Sequence, residues 1–257
     1  MPLPSPHRLK FAARFAGWHF LISLAVALLT AALVFGLWYP APYRLMLGVA
    51  GIYLLILVVD VVCGPLLTLI VASPRKSLRE RTLDFALIGL VQLAALAYGM
   101  HSVWLARPVV LAFETDRLVV VTANEIQLQD LALAPPALQR LPWWGVQQVN
   151  LRPPRDSEEF LRSIDEGMQG LSPAMRPGWW LPWDSARPAM QARARPLSEL
   201  LARRPQDAAA LHTAIADTGL SITELHYLPL VSSKAMEWIA LLNEQLDIVG
   251  HAPVDGF

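Results

Sequence analysis

Cysteine is almost missing from this 257-residue chain. Cys63 stands alone inside an apolar run, which excludes an intrachain disulfide and leaves redox chemistry no second thiol. Charge is scarce as well: 16% of residues are charged against 54% hydrophobic, and the mean hydropathy of +0.40 lies outside the balance of a soluble domain. The net charge of zero hides two opposed parts. Residues 1–105 carry eight basic and three acidic side chains, a net of +5; the remainder carries thirteen basic and eighteen acidic, a net of −5. No basic face points to nucleic acid. No phosphate-binding GxxxxGK[ST], zinc-binding HExxH, nucleophile GxSxG, CxxC or dinucleotide-binding GxGxxG is present. The six histidines are scattered; His226 and His251 converge only if the last strands pair, and two ligands make no zinc site. Neither a catalytic residue, a metal nor a cofactor is expected.

What the chain has in abundance is long apolar sequence. Three runs, at 15–38, 45–72 and 83–105, each exceed the ~20 residues that cross a ~30 Å hydrocarbon layer as helix. The first is too long for a signal-peptide core and is followed by no clear small-residue cleavage site, so it is read as an uncleaved span. Arg8, Lys10 and Arg14 precede it, and Arg75, Lys76, Arg79 and Arg81 separate the second and third, whereas the first loop has only Arg44. The positive-inside rule then places the amino terminus and second loop in the cytoplasm and everything after Arg107 outside it. The expected organisation is a membrane domain, residues 1–106, and an outer domain, residues 107–257.

The outer domain reads as α+β with a mainly antiparallel sheet. β-branched runs at 109–113 and 118–122 form a hairpin pattern, and "QQVNL" is a further strand stopped by Pro153 and Pro154. "SEEFLRSIDEGM" is an amphipathic helix whose leading acids, Asp156, Glu158 and Glu159, suit the helix dipole. Helices at "PLSELLARRP" and "PQDAAALHTAIADTG", the latter stopped by Gly219, precede a closing meander of three strands. The proline-rich stretch 171–195 is expected to be a loop or surface excursion.

Two features invite a functional reading. Trp143 and Trp144, then Trp179, Trp180 and Trp183, lie in short proline-flanked segments; such residues either pin a loop to its core or anchor a partner, a glycan or lipid. The second is Asp60, placed near the middle of the second span, where an acid costs roughly 2.5–3.5 kcal/mol and must face protein. Asp60, Gly64 and Thr68 fall on one small and polar helix face, and Pro65 removes the N–H that would serve the Val61 carbonyl, setting a kink. Thr30 and Gln92 are the expected polar partners at its depth. Asp60 is then satisfied either within its own bundle or by an incoming helix, with a proton relay as a lesser alternative.

The run 58–126, "VVDVVCGPLLTLIVASPRKS…ARPVVLAFETDR…", together with the late "WIALLN", resembles the type IV pilin accessory proteins, the TfpX/TfpZ family. The resemblance covers most of the chain, apart from the Trp-rich stretch 171–195. It implies a non-catalytic protein of the bacterial inner membrane, with its carboxy-terminal domain periplasmic, that works beside a type IV major pilin and promotes pilus assembly. It further suggests contact with the assembly machinery and membrane lipid. On that footing Asp60, Gly64 and Thr68 would meet the pilin helix and the tryptophan loops its head. The rival reading is a membrane-bound enzyme modifying pilin or a lipid-linked glycan at the periplasmic face.

Overall fold

A computed structural model describes residues 6–257. The chain divides into two compact units, one of residues 1–40 and 48–105 and one of residues 41–47 and 106–257.

The first unit holds three helices long and apolar enough to cross a membrane: His7–Trp38, Val49–Val71 and Leu78–Leu105. Helix α1 (Pro6–Leu33) runs into a wider π-helical turn at Val34–Trp38 and begins well before residue 15, since nothing in 6–14 breaks a helix. The second span starts at Val49 rather than 45: a short helix α2 (Tyr43–Met46) comes first, and Gly48, whose φ of +65° is open to glycine at little cost, separates it from the span. It consists of α3 (Val49–Val58), a π turn at Val59–Cys63 and α4 (Gly64–Val71). Pro65 sits just beyond the π turn, and its missing N–H accounts for the break in α-helical bonding there. The third span is α5 (Leu78–Leu105), capped by Ser77 and Glu80, each bonding the other's main-chain N–H. Its outward residues, such as Leu87, Leu90 and Leu93, are more than 60% exposed, an apolar surface suited to lipid.

The cations gather at one end of this bundle. Arg8 donates to the Ile70 carbonyl at 3.1 Å, the Arg81 guanidinium lies 5.5 Å from the Phe11 ring, and Lys76 pairs with Asp84 at 2.6 Å. At the other end the Trp38 and Trp104 rings are 4.9 Å apart, and Tyr39 donates to the Val103 carbonyl at 2.9 Å. Helix termini rich in Arg and Lys on one side and in Trp and Tyr on the other are what two membrane interfaces select.

The second unit is built on a mixed eight-stranded sheet in the order β4-β3-β1-β2-β6-β7-β8, with β5 paired to β6. The strands are β1 (Pro108–Glu114), β2 (Arg117–Thr122), β3 (Gln147–Leu151), β4 (Trp180–Pro182), β5 (Arg195–Pro196), β6 (His226–Ser232), β7 (Trp238–Leu242) and β8 (Ile248–Ala252). The hairpin β1–β2 lies at the centre, and its two flanks, β1–β3 and β2–β6, are the parallel pairings; all others are antiparallel. Its near-continuous apolar runs fit strands buried on both faces. The helices are α6 (Ser157–Met168), α7 (Arg187–Arg193), α8 (Leu197–Arg203) and α9 (Ala208–Thr218). Asp156 accepts from the Glu159 N–H at 2.7 Å as N-cap of α6, and Gly219 closes α9 at a φ of +69°.

The stretch 171–195 is not a surface excursion. It contributes β4, α7 and the buried residues Ala174, Trp180, Ala186 and Met190, with Trp180 packed against Val110, Val121 and Val149 in one core cluster. Proline had suggested a loop, but here its rigid φ serves short 3-10 turns that carry large side chains inward.

Candidate functional site

The polar groups of the three spans meet in the bundle interior. Asp60 is 8% exposed although it lies mid-span, and the side chains grouped around it come from all three helices. Gln92 of α5 donates from Nε2 to the main-chain carbonyl of Asp60 at 3.0 Å. That carbonyl belongs to the π turn, where intrahelical bonding is already disturbed, so an amide reaching across from a neighbouring helix finds an acceptor. Gly64 makes the approach possible: a Cβ there would fall 2.0 Å from Gln92 Nε2. One turn on, Thr68 Oγ1 lies 2.6 Å from His19 Nδ1 of α1.

These bonds leave acceptors over. Asp60 Oδ1 and Gln92 Oε1 are buried without a partner. They line, with His19 and Ser23, a cavity of about 230 Å³ between the helices, and Asp60 also borders a second cavity of about 270 Å³ between α3 and α5. An unpaired acceptor in a low-dielectric interior costs roughly 1–3 kcal/mol, so this bundle carries an unsatisfied demand for a hydrogen-bond donor.

Of the two expected partners of Asp60, Gln92 is in place: its amide bonds the Asp60 main-chain carbonyl and also reaches the Asp60 carboxyl. Thr30 is not: its hydroxyl lies 2.8 Å from Tyr53 Oη and bonds the Val26 and Ala27 carbonyls of its own helix. The helix α1 starts nine residues before the expected 15, so the centre of the span lies nearer Ser23 than Thr30. His19 and Ser23 were therefore missed. Their signal was a histidine and a serine one turn apart inside an apolar helix. His19 stands beside Asp60 in the cavity, so the bundle interior holds a second ionisable side chain.

The tryptophans divide into two sets. Trp143 and Trp144 are 71% and 70% exposed, in a loop pinned by Arg107, whose Nη2 donates to the Pro142 carbonyl at 3.1 Å. Trp179 and Trp180 are interior: Trp180 Nε1 donates to the Ala174 carbonyl at 2.9 Å, and the Arg152 guanidinium stacks 4.5 Å from the Trp179 ring. Trp183 is half-buried. Of the helix-start acids, Glu159 forms a bidentate pair with Arg152 at 2.7 Å, and that pairing holds its carboxyl at about 2.

His226 and His251 lie on β6 and β8, with β7 between them, opposite Leu242 and Ala240 respectively. Among the described residues, no group of three His, Cys, Asp or Glu side chains is placed to hold a metal ion. Burial pushes His251 down to about 4, and Tyr43, whose ring lies 6.4 Å from it, up to about 12.

Three apolar spans around a polar interior, followed by an α+β domain, define a multi-span membrane protein with an attached folded domain. The chain belongs to the fimbrial assembly family. It is 38% identical to the serogroup I fimbrial assembly protein of Dichelobacter nodosus over 97% of this chain and 98% of that one, and 37% identical to the serogroup E1 protein over the same shares. The serogroups C1 and C2 protein is 46% identical over 49% of this chain and 97% of its own length. The family described as fimbrial assembly protein FimB matches residues 7–48. No solved structure matches the chain. Its process is the assembly of fimbriae, which are pili, as the resemblance to pilin accessory proteins implied.

Proposed function

We propose that the protein is a non-catalytic accessory factor of the bacterial inner membrane that binds a type IV pilin and promotes its assembly into the pilus. Its amino terminus faces the cytoplasm and its α+β domain the periplasm. A pilin carries one apolar helix in the bilayer and a globular head outside it, so a factor that handles it needs a membrane face and a domain on the same side. The observation that carries this reading is the unsatisfied acceptor pair, Asp60 Oδ1 and Gln92 Oε1, in an intramembrane cavity of a fimbrial assembly protein. Asp60 meets a donor on the client helix. Gly64 and Thr68 act by placing Gln92 and His19, and Trp143 and Trp144 offer the head an exposed aromatic contact.

The test is co-purification of pilin with the full chain after mild detergent extraction, comparing wild type with Asp60→Leu. Retention of pilin by the wild type, with loss of both capture and surface pili in a variant present at normal level, is the expected result. A stable variant with wild-type capture and piliation would remove Asp60 from the site. The appearance of a chemically modified pilin or glycan dependent on this protein would favour an enzyme instead.

A further inference from the structure

The carboxyl ends of the parallel neighbours β1 and β3, paired from Val110↔Gln147 to Phe113↔Asn150, open onto a cavity of about 520 Å³ in the α+β domain. Its walls are largely aromatic and proline: Phe113, Phe160, Trp179, Pro153 and Pro154. Two charged side chains reach it, Arg152 and Glu114, and they differ in one respect. The charge of Arg152 is matched by the bidentate pair with Glu159. Among the described residues Glu114 has no cation within salt-bridge distance: its neighbour Arg117 acts on it from farther off, pairing with Asp116 at 2.8 Å and covering the Phe257 ring at 4.6 Å. The Ala174 N–H and the Ser172 hydroxyl support the Glu114 carboxyl, while Glu114 Oε2 itself is buried without a partner among the described residues.

The hollow therefore carries one acidic group without a cation at salt-bridge distance among the described residues, beside several rings and within a part of the chain whose net charge is −5. Beside it, Thr115 at the hairpin tip holds a φ of +61°, a left-handed conformation that costs a β-branched residue of order 1–3 kcal/mol and clusters at ligand sites. Phe160 stands 51% exposed at the rim and continues into an exposed apolar row of Leu161, Ile164 and Met168 on α6.

We propose that this cavity is a docking site for a protein partner, which inserts a Lys or Arg side chain with its charged head on Glu114 and its stem along Phe160 and Pro153. A cation supplies the charge that Glu114 lacks, and aromatic faces favour a cation over a neutral group. The long aliphatic stem matches the apolar walls. A sugar would draw on free polar side chains, whereas Asn150 already donates to Ser185 Oγ at 2.9 Å, Ser163 to the Phe160 carbonyl at 2.7 Å, and Arg152 is engaged by Glu159. The identity of the partner rests on the pilin-binding reading; on that reading the basic residue belongs to the pilin head.

The test uses the full chain in lipid nanodiscs, with N-acetyl-arginine methylamide as probe and N-acetyl-glutamine methylamide as control, followed by NMR of the Phe ring signals. Expected are binding of the arginine probe at the Phe113 and Phe160 signals, about tenfold weaker binding to Glu114→Gln, and little response to the glutamine probe in either protein. No binding to the wild type, or equal binding to Glu114→Gln, overturns the site. In parallel, a benzoylphenylalanine photocrosslinker at Ser163 should capture co-expressed pilin next to a Lys or Arg. Crosslinks mapping to acidic or apolar segments alone overturn the basic ligand. If wild type captures no pilin at all, the pilin reading falls, and the arginine probe still decides the cavity.

Discussion

Gly64 and Gln92 occupy a single space inside the bundle: the position where a side chain at residue 64 would begin is 2.0 Å from the Gln92 amide nitrogen. Gln92 reaches the Asp60 carbonyl only because residue 64 has no Cβ. Gly64→Ala must therefore displace the end of a flexible side chain and break the 3.0 Å bond, at about 1 kcal/mol plus the cost of leaving the Asp60 carbonyl unpaired. Gln92→Ala removes the obstacle as well as the bond. A double-mutant cycle on detergent-solubilised protein should show that Gly64→Ala costs much less in the Gln92→Ala background. Additive costs would separate the two residues.

His251 makes the stability of the α+β domain depend on pH. Its folded value of about 4 lies below its ordinary 6.5, so burial penalises the charged form and the unfolded chain binds more protons between those values. Stability from this group is complete above about pH 6.5 and is lost as pH falls toward 4, amounting to about 2 kcal/mol at pH 5. Glu114, whose carboxyl burial raises, works in the opposite sense in the acid range, and Glu159, held at about 2, loses its contribution only below the ordinary glutamate range. His251→Phe keeps a ring beside Tyr43 and should flatten the decline in melting temperature between pH 6.5 and 5. An unchanged decline would assign it elsewhere.

Arg152 ties three elements together. Its two terminal nitrogens bind Glu159 of α6, its Nε donates to the Gly178 carbonyl at 3.1 Å, and its plane covers Trp179. The Arg152 and Glu159 side chains are 16% and 18% exposed, so the pair is partly shielded from solvent. Lysine carries the same charge but neither the fork nor the plane, so Arg152→Lys should cost about 1–2 kcal/mol in urea unfolding followed by tryptophan fluorescence. Wild-type stability in that variant would show that charge alone suffices.

The spans, the central hairpin and the closing meander were legible because apolar length and β-branched runs are local signals. The mixed character of the sheet was less so. The parallel pairings β1–β3 and β2–β6 join segments far apart in sequence, and nothing in "QQVNL" tells which edge of the hairpin it meets. The polar interior was half legible. Asp60, Pro65 and Gln92 stand out in an apolar context, whereas His19 lies near the start of the expected first span, and only its 2.6 Å approach to Thr68 brings it into the polar interior. For 171–195, proline and glycine read locally as loop, and only the tertiary contacts of Trp180, Ala186 and Met190 make the segment core.

The tryptophans test that distinction most directly, because one residue type should give opposite outcomes at two sites. Trp180 is 2% exposed, packs in the β1–β3 core and donates to the Ala174 carbonyl, so Trp180→Ala opens a large cavity and leaves that carbonyl unpaired. A loss of about 3–5 kcal/mol in unfolding free energy is expected, with little folded protein remaining. Trp144, at 70% exposure, buries little on folding, so Trp144→Ala should change stability by no more than about 0.5 kcal/mol. If Trp144 is an anchor for the client head, the same substitution should lower pilin capture by about tenfold or more, as central aromatic contacts do. Undiminished capture by a stable Trp144→Ala protein would leave the exposed pair without a part in binding and shift the head contact elsewhere on the α+β domain.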